Sequence, residues 1–351
     1  MSLMFLAKNS NIMFPLLTSS ITGTISNIKV SNDGRLVIIT RRDTPQVITM
    51  YKGPGDTTWS TSTYTESQAT GSGDYGLSGI GLADSNAMFV VSSLEGSELR
   101  LHVYSYNTTT HSLTKRQYIT KSNIASCYSL DMAIDANYIV VGSGKYTGNP
   151  YITYGLTDWV DSTGTSFVEN TGTNCLFNVS VNNTGGSLGA LGYAYGISTG
   201  SVKEYRRTGV STWVTSTTTS LPSQPSRIDT SDSGVSAIYS PYTPTGSYEG
   251  YLEVRSGGAP VFTIQGSSSV FGSASFQEYE SSSVISSTSN TLILSSHTDI
   301  LYFRKIGETY TYLGNINSLP SNSSHNISVS GGGEIVAYSP RNTGNFTILS
   351  V

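Results

Sequence analysis

The segment SNDGRLVIIT, Ser31 to Thr40, sets a polar turn ending in glycine directly before an apolar, β-branched run. The same arrangement returns along the chain. ADSN precedes AMFVVS, IDAN precedes YIVVGS, NNTGG precedes SLGALGYAY, SDSG precedes VSAIYS, STSN precedes TLILSS and SGGG precedes EIVAYS. The residue before each run is an anchor: Gly34, Asn86, Asn137, Gly185, Gly234, Asn290 and Gly333. The anchors are spaced by 52, 51, 48, 49, 56 and 43 residues, close to 50 on average. A period of this size marks a repeat architecture. Glycine and asparagine enter the left-handed backbone region at least cost, and flanking Asp, Ser and Asn cap tight turns. Each anchor therefore predicts a hairpin between two strands.

The strand before the turn is short, as in SNIKV and NISV. The strand after it is nearly continuous in apolar residues (LVII, MFVV, IVV, LIL), which implies burial on both faces. A third strand carries alternating aromatics: QVITMYKG, LRLHVYSY, PYITYGL, SVKEYRR, GYLEVRS, ILYFRK and NFTILSV. A fourth, with Trp or Tyr near its start, follows in TTWSTSTY, STWVTSTT and ETYTYLG. Each unit is a four-stranded antiparallel meander that cannot bury both faces alone. Seven in a ring can. The expected fold is all-β, a seven-bladed β-propeller of four-stranded antiparallel blades in a single domain, 1–351. The blades are expected at approximately 24–69, 70–122, 123–170, 171–222, 223–270, 271–320, and 321–351 plus 1–23. The last unit stops at Val351 after its third strand, and NIMFPLLTSS near the N-terminus is expected to supply the missing outer strand and close the ring. Pro15 suits an edge strand, which can spare an amide. MFLAKN would add part of a further strand or a surface loop.

Composition supports strands over helices. Charged residues are 12%, about half the roughly 25% of an ordinary soluble protein. Ser, Thr, Asn, Gly and 23 tyrosines fill the gap, a mixture that suits strands and turns. A net charge of −4 argues against nucleic acid as a partner, and TKRQ and YRRTG are read as solvated strand ends. The opening twenty residues do not form a signal peptide pattern, because Lys8 follows the first apolar run instead of preceding it. No apolar run reaches the roughly 18 residues of a membrane span. Sequons at Asn107, Asn178, Asn182, Asn322, Asn326 and Asn345 are what chance yields in so Asn/Ser/Thr-rich a chain. Cys127 and Cys175 each lie ten residues before an anchor, at equivalent positions of adjacent units. Neighbouring first strands usually stand farther apart than the roughly 7 Å a disulfide tolerates, so two free thiols are expected.

Units such as VSNDGRLVIITRRDTPQVITMYKGPGDTTW and AIDANYIVVGSGKYTGNPYITYGLTDW resemble FG-GAP-like repeats. These have a polar Asp-Gly turn, an apolar strand, a glycine-rich loop, an aromatic strand and a Trp strand. The resemblance covers the whole chain and implies the seven-bladed propeller of integrin α-type proteins, of a kind also found in large DNA viruses and marine bacteria. Integrin-type blades often carry a calcium loop with acidic residues at alternate positions. RRDTPQ, GKYTGNP, YTPTGSYEG and PRNTGN lack that spacing, so no metal is expected.

The enzyme motifs sought are missing: no His-Glu-x-x-His, no Cys/His cluster, no Gly-x-Ser-x-Gly and no complete phosphate loop. Sialidase boxes are only half matched by SNDGRLVI and SDSGVSAI, which lack the tryptophan. No catalytic residues and no cofactor are expected. Binding is the expected use, on the face shared by the second-to-third-strand loops and the blade-to-blade loops. Its candidate residues are Arg41, Arg42, Tyr146, Tyr242, Tyr248 and Arg341, types enriched at binding hot spots. The expected function is a structural or attachment component of a larger assembly, a virus particle or other extracellular surface, with other proteins as partners. A glycan-binding module at the cell surface is the alternative, and a glycoside hydrolase stands behind both.

Overall fold

A computed structural model describes residues 14–67, 69, 75–77, 79–83, 87–96, 98–122, 126–132, 139–144, 151–154, 165–168, 174–181, 187–194, 200–209, 212–221, 225–240, 250–256, 259–265, 282–286, 288–295, 299–316, 325–340 and 343–351. The described strands form seven four-stranded sheets, with no helix among the described residues. Sheet 1 comprises Ile25–Val30, Leu36–Arg41, Gln46–Tyr51 and Ser60–Thr65. Sheet 2 comprises Ile80–Ala83, Met88–Glu95, Glu98–Asn107 and Ser112–Ser122. Sheets 3 and 4 span 126–168 and 174–220, sheets 5 and 6 span 227–265 and 282–316. Sheet 7 joins His325–Val329, Ile335–Pro340 and Asn345–Ser350 to a fourth strand, Phe14–Ser20, from the N-terminal region. That strand pairs antiparallel with Asn345–Ser350, and its register shifts between Pro15 and Leu17.

The second strands explain how the sheets pack. In Leu36–Arg41, Leu36 and Ile38 pack with Ile80, Leu82, Phe89 and Val91 of sheet 2. Val37 and Ile39, one residue out of phase, pack with Ala337, Phe346 and Ile348 of sheet 7. The two-residue period of a strand sends alternate side chains to opposite neighbours, and the continuous apolar run is the consequence. Similar clusters join sheets 5 and 6, and sheets 6 and 7. Each first strand lies against the first strands of the sheets before and after it in the chain. Ile25–Val30 lies against both Ile80–Ala83 and His325–Val329.

The hairpins between first and second strands obey a rule that the anchors only approximate. Ser31, Ser231, Ser286 and Ser330 are all buried. The hydroxyl of each accepts the backbone N–H that starts the second strand, from Leu36, Val235, Thr291 and Ile335 at 2.9–3.1 Å. The residue three after each serine has positive φ: Gly34, Gly234, Ser289 and Gly333. Position 289 corrects the expected Asn290. The serine cap fixes the count, so the left-handed residue falls one place earlier and is neither Gly nor Asn. In sheet 2 Ala87 has positive φ. The anchors Asn86, Asn137 and Gly185 lie outside the described residues.

A second repeated device joins the sheets. Five residues before the left-handed position stand Ser328 and Asp229, in sheets 7 and 5, and Ser180 plays the same part in the first strand of sheet 4. Each accepts a backbone N–H from the first strand of the following sheet: Val30 to Ser328 Oγ at 3.0 Å, Thr230 to Ser180 Oγ at 3.1 Å, Ile285 to Asp229 Oδ2 at 2.8 Å. In sheet 1 the equivalent residue is Lys29, which cannot accept. Its ammonium lies 3.9 Å from Asp131 of sheet 3. Cys127 and Cys175 are each the second residue of a first strand, in sheets 3 and 4. Their side chains, and with them the expectation of free thiols, lie outside the described set.

Candidate functional site

The meander gives the molecule two ends. One carries the first-to-second and third-to-fourth strand turns; it is termed the hairpin end. The other carries the second-to-third strand turns and the crossings between sheets; it is termed the crossover end. Arg41 and Arg42 sit at the crossover end, on the turn after Leu36–Arg41. Their side chains diverge. Arg41 donates from Nη1 to Gln46 Oε1 at 2.6 Å, and its guanidinium fills the space that a Cβ on Gly23 would need. Its Nε is buried with no hydrogen-bond partner among the described residues. Arg42 remains partly exposed, 3.9 Å from the Asp43 carboxylate. Hydrogen bonding from Thr24 holds the Asp43 carboxyl below the usual range, and both arginines add to this. Nearby, Arg100 pairs with Glu95 and Glu98, each at 2.6 Å. Tyr146, Tyr242, Tyr248 and Arg341 lie outside the described residues.

The described surface with the most binding chemistry is at the hairpin end. A groove of about 750 Å³ opens between sheets 1 and 2. Its floor is Leu36 and Leu82, and its walls include Tyr51, Tyr106, Thr108, Thr114 and Arg116. Tyr51 closes the third strand of sheet 1, and Tyr106 lies near the end of the third strand of sheet 2. Their rings pack 5.8 Å apart, and His111 braces Tyr51 at 5.7 Å. Arg116 enters by a register shift: Val103 pairs with Gln117 and Tyr104 with Lys115, leaving Arg116 as the extra residue. Such a bulge re-aims a side chain. Arg116 is exposed, whereas Lys115 turns inward to the buried Glu66 at 2.8 Å. This corrects the reading of TKRQ as a solvated strand end: at a bulge, adjacent cations take separate fates. The tyrosines were visible in the sequence as the aromatic ends of QVITMYKG and LRLHVYSY. Nothing in the sequence signalled the bulge.

The buried titratable groups serve the packing of sheets. Glu66 accepts from Tyr104 Oη at 2.7 Å and lies 3.4 Å from His102 Nδ1. Tyr75 and Tyr104 share a 2.8 Å hydrogen bond, and burial pushes both phenols well above the ordinary tyrosine range. At the first strands, Ser180 Oγ bridges Asp229 at 3.1 Å and Asp131 at 3.4 Å. Surrounding protein atoms push the Asp229 carboxyl up, against the lowering influence of Lys29. Among the described residues no group of three or more His, Cys, Asp or Glu side chains is placed to hold a metal. No helix there is long and apolar enough to cross a membrane.

Consecutive four-stranded antiparallel sheets, packed face to face with their first strands side by side, define a β-propeller. The solved structures it is similar to agree. A chain of the mitotic checkpoint complex matches with a TM-score of 0.64 at 12% identity, covering 100% of this chain and 98% of that one. The WD40 repeats of RRP9 match with a TM-score of 0.63 at 8% identity, covering 97% and 98%. At such identities the likeness is one of fold. No family model and no curated protein matches the sequence.

Proposed function

We propose that this β-propeller is a closed seven-bladed ring, one domain over 1–351, that acts as a non-enzymatic protein-interaction component of a larger assembly. The observation that carries this reading is an apolar rim at the hairpin end. Leu16 and Val261 are the extra residues at bulges in the fourth strands of sheets 7 and 5, and they are 44% and 41% exposed. Phe14 and Ile306, at the same end of sheets 7 and 6, are 61% and 58% exposed. The exposed large apolar side chains of the described surface thus fall on three consecutive sheets at one end. Scattered exposure of this kind is ordinary, but grouping on one rim marks an interaction surface. The cyclic succession of first-strand contacts supports the ring, and the blade divisions follow the repeat. The FG-GAP-like character and the virus-particle setting are supported by the repeat motifs and by the low-charge composition.

The test is radical footprinting of the chain alone and in the native assembly recovered from its source. Protection of Phe14, Leu16, Val261 and Ile306 in the assembly is expected. If the chain is recovered only as a monomer, or those four positions label equally in both states, the reading falls.

A further inference from the structure

We infer that the groove between sheets 1 and 2 binds a carboxylate-bearing saccharide. Two polar side chains of its lining have hydrogen-bonding capacity left unused among the described residues. Arg116 is anchored through Nε, which donates to Ser105 Oγ at 2.7 Å, and its two terminal nitrogens have no partner among the described residues. Tyr51 lines the groove with a braced ring and a phenol hydroxyl that bonds to no group among the described residues. Thr108 and Thr114 of the same lining add exposed hydroxyls, and the Asn107 side chain fixes its own turn by accepting from the amides of Thr109 and Thr110 at 2.9 and 3.0 Å.

This combination selects for sugar. The guanidinium fork matches a carboxylate in two parallel hydrogen bonds. An aromatic face accepts the apolar side of a pyranose, and short hydroxyls suit its ring substituents. A peptide would instead want a strand edge or deep apolar pockets. The strand edge that borders the groove, Ser112–Ser122, is interrupted by the Arg116 bulge, which breaks the ladder an added strand would need, and the floor, Leu36 and Leu82, is buried at 4% and 3% exposure. Its volume fits one or two sugar units. Asp33, the carboxylate among the described lining and part of the first hairpin of sheet 1, accepts from Ser31 Oγ at 2.6 Å and from the Arg35 amide at 3.0 Å. Its position favours a ligand that turns hydroxyls toward Asp33 and its acid toward Arg116.

The test titrates the full chain with a hyaluronan tetrasaccharide and with 3′-sialyllactose. Lactose and a glutamate-rich peptide are controls, and amide chemical shifts are the readout. Saturable shifts are expected around Tyr51, Thr108 and Arg116 with at least one acidic sugar, and weaker ones with lactose. Arg116→Gln should weaken acidic-sugar binding about tenfold or more, and Arg116→Lys should recover only part of it, because the fork is lost. Arg116 is exposed, so the fold should survive, and thermal melts check this. Changing the rim residue Ile306 to Asp should leave sugar binding unchanged, which separates this site from the rim. No shifts at millimolar sugar, equal binding of lactose, preference for the peptide, or indifference to Arg116→Gln would each overturn the inference.

Discussion

The joint between the first and last sheets can be tested by one added methyl group. Gly34 has φ +71°, and a Cβ there would lie 2.6 Å from Ile335 Cγ1, a side chain of sheet 7. Gly234 has nearly the same backbone, φ +77°, with nothing within 4 Å of its would-be Cβ. Both substitutions to Ala carry the left-handed penalty of about 1–2 kcal/mol, offset by about 0.4–1 kcal/mol from a stiffer unfolded chain. Gly234→Ala should therefore cost about 1 kcal/mol. Gly34→Ala adds a clash of the size of core overpacking, about 1–3 kcal/mol. The entropy of unfolding, about 2.1 cal/mol/K per residue, is about 0.7 kcal/mol/K for 351 residues. Each kcal/mol then moves the melting temperature by about 1.4 °C. Urea midpoints and thermal melts should rank Gly34→Ala below Gly234→Ala by about 1–3 kcal/mol. Truncating Ile335 to Ala in the Gly34→Ala background should close most of that gap, beyond the cost of Ile335→Ala alone. Equal losses at both glycines, or no rescue, would refute the packing of sheet 7 on the first hairpin and with it the proposed closed ring.

Ser328→Ala strands the buried Val30 amide at the same joint and should cost about 1–3 kcal/mol in urea unfolding; a loss under 0.5 kcal/mol would show that the amide finds another acceptor. Glu66→Ala leaves Lys115, 14% exposed at its side chain, and the Tyr104 hydroxyl without their carboxylate. It should cost about 3–5 kcal/mol, and stability within error of the parent would contradict the network. Asp229 has a folded pKa above its unfolded value, so the native state holds the proton more tightly. Ionisation then disfavours folding as pH rises from the unfolded value of 3.8 through the raised one. Asp229→Asn keeps an acceptor for Ile285. It should gain on the parent as pH rises from 4 to 7, and urea midpoints that run parallel over that range would remove the assignment.

The sequence fell short at positions set by contacts between turns. The period and its polar turns predicted where hairpins fall, because left-handed backbone is affordable to few residues. Yet the turn of sheet 6 places Ser289, not Asn290, at positive φ. There Ser289 Oγ bonds Ser231 Oγ at 2.6 Å in the neighbouring sheet, while the amides of Thr288 and Gly331 bond to the Gly331 and Asn32 carbonyls at 3.1 and 2.9 Å. A row of turns interlocked across sheets 5, 6, 7 and 1 decides which residue bends. Nor did the sequence show that Arg41, expected on a binding face, bonds to Gln46 and lays its guanidinium against Gly23.

What the amino-acid order determined by itself is local: strand runs from β-branched and aromatic patterning, turns from Gly, Ser, Asp and Asn, and burial of the second strands from their unbroken apolar runs. Tertiary structure alone decided which cations reach solvent and which are consumed between sheets, as Arg116 and Lys115 show. The physical reason is that a strand's alternation fixes two faces, but a single-residue bulge, settled by pairing with a partner strand, shifts every side chain beyond it to the other face.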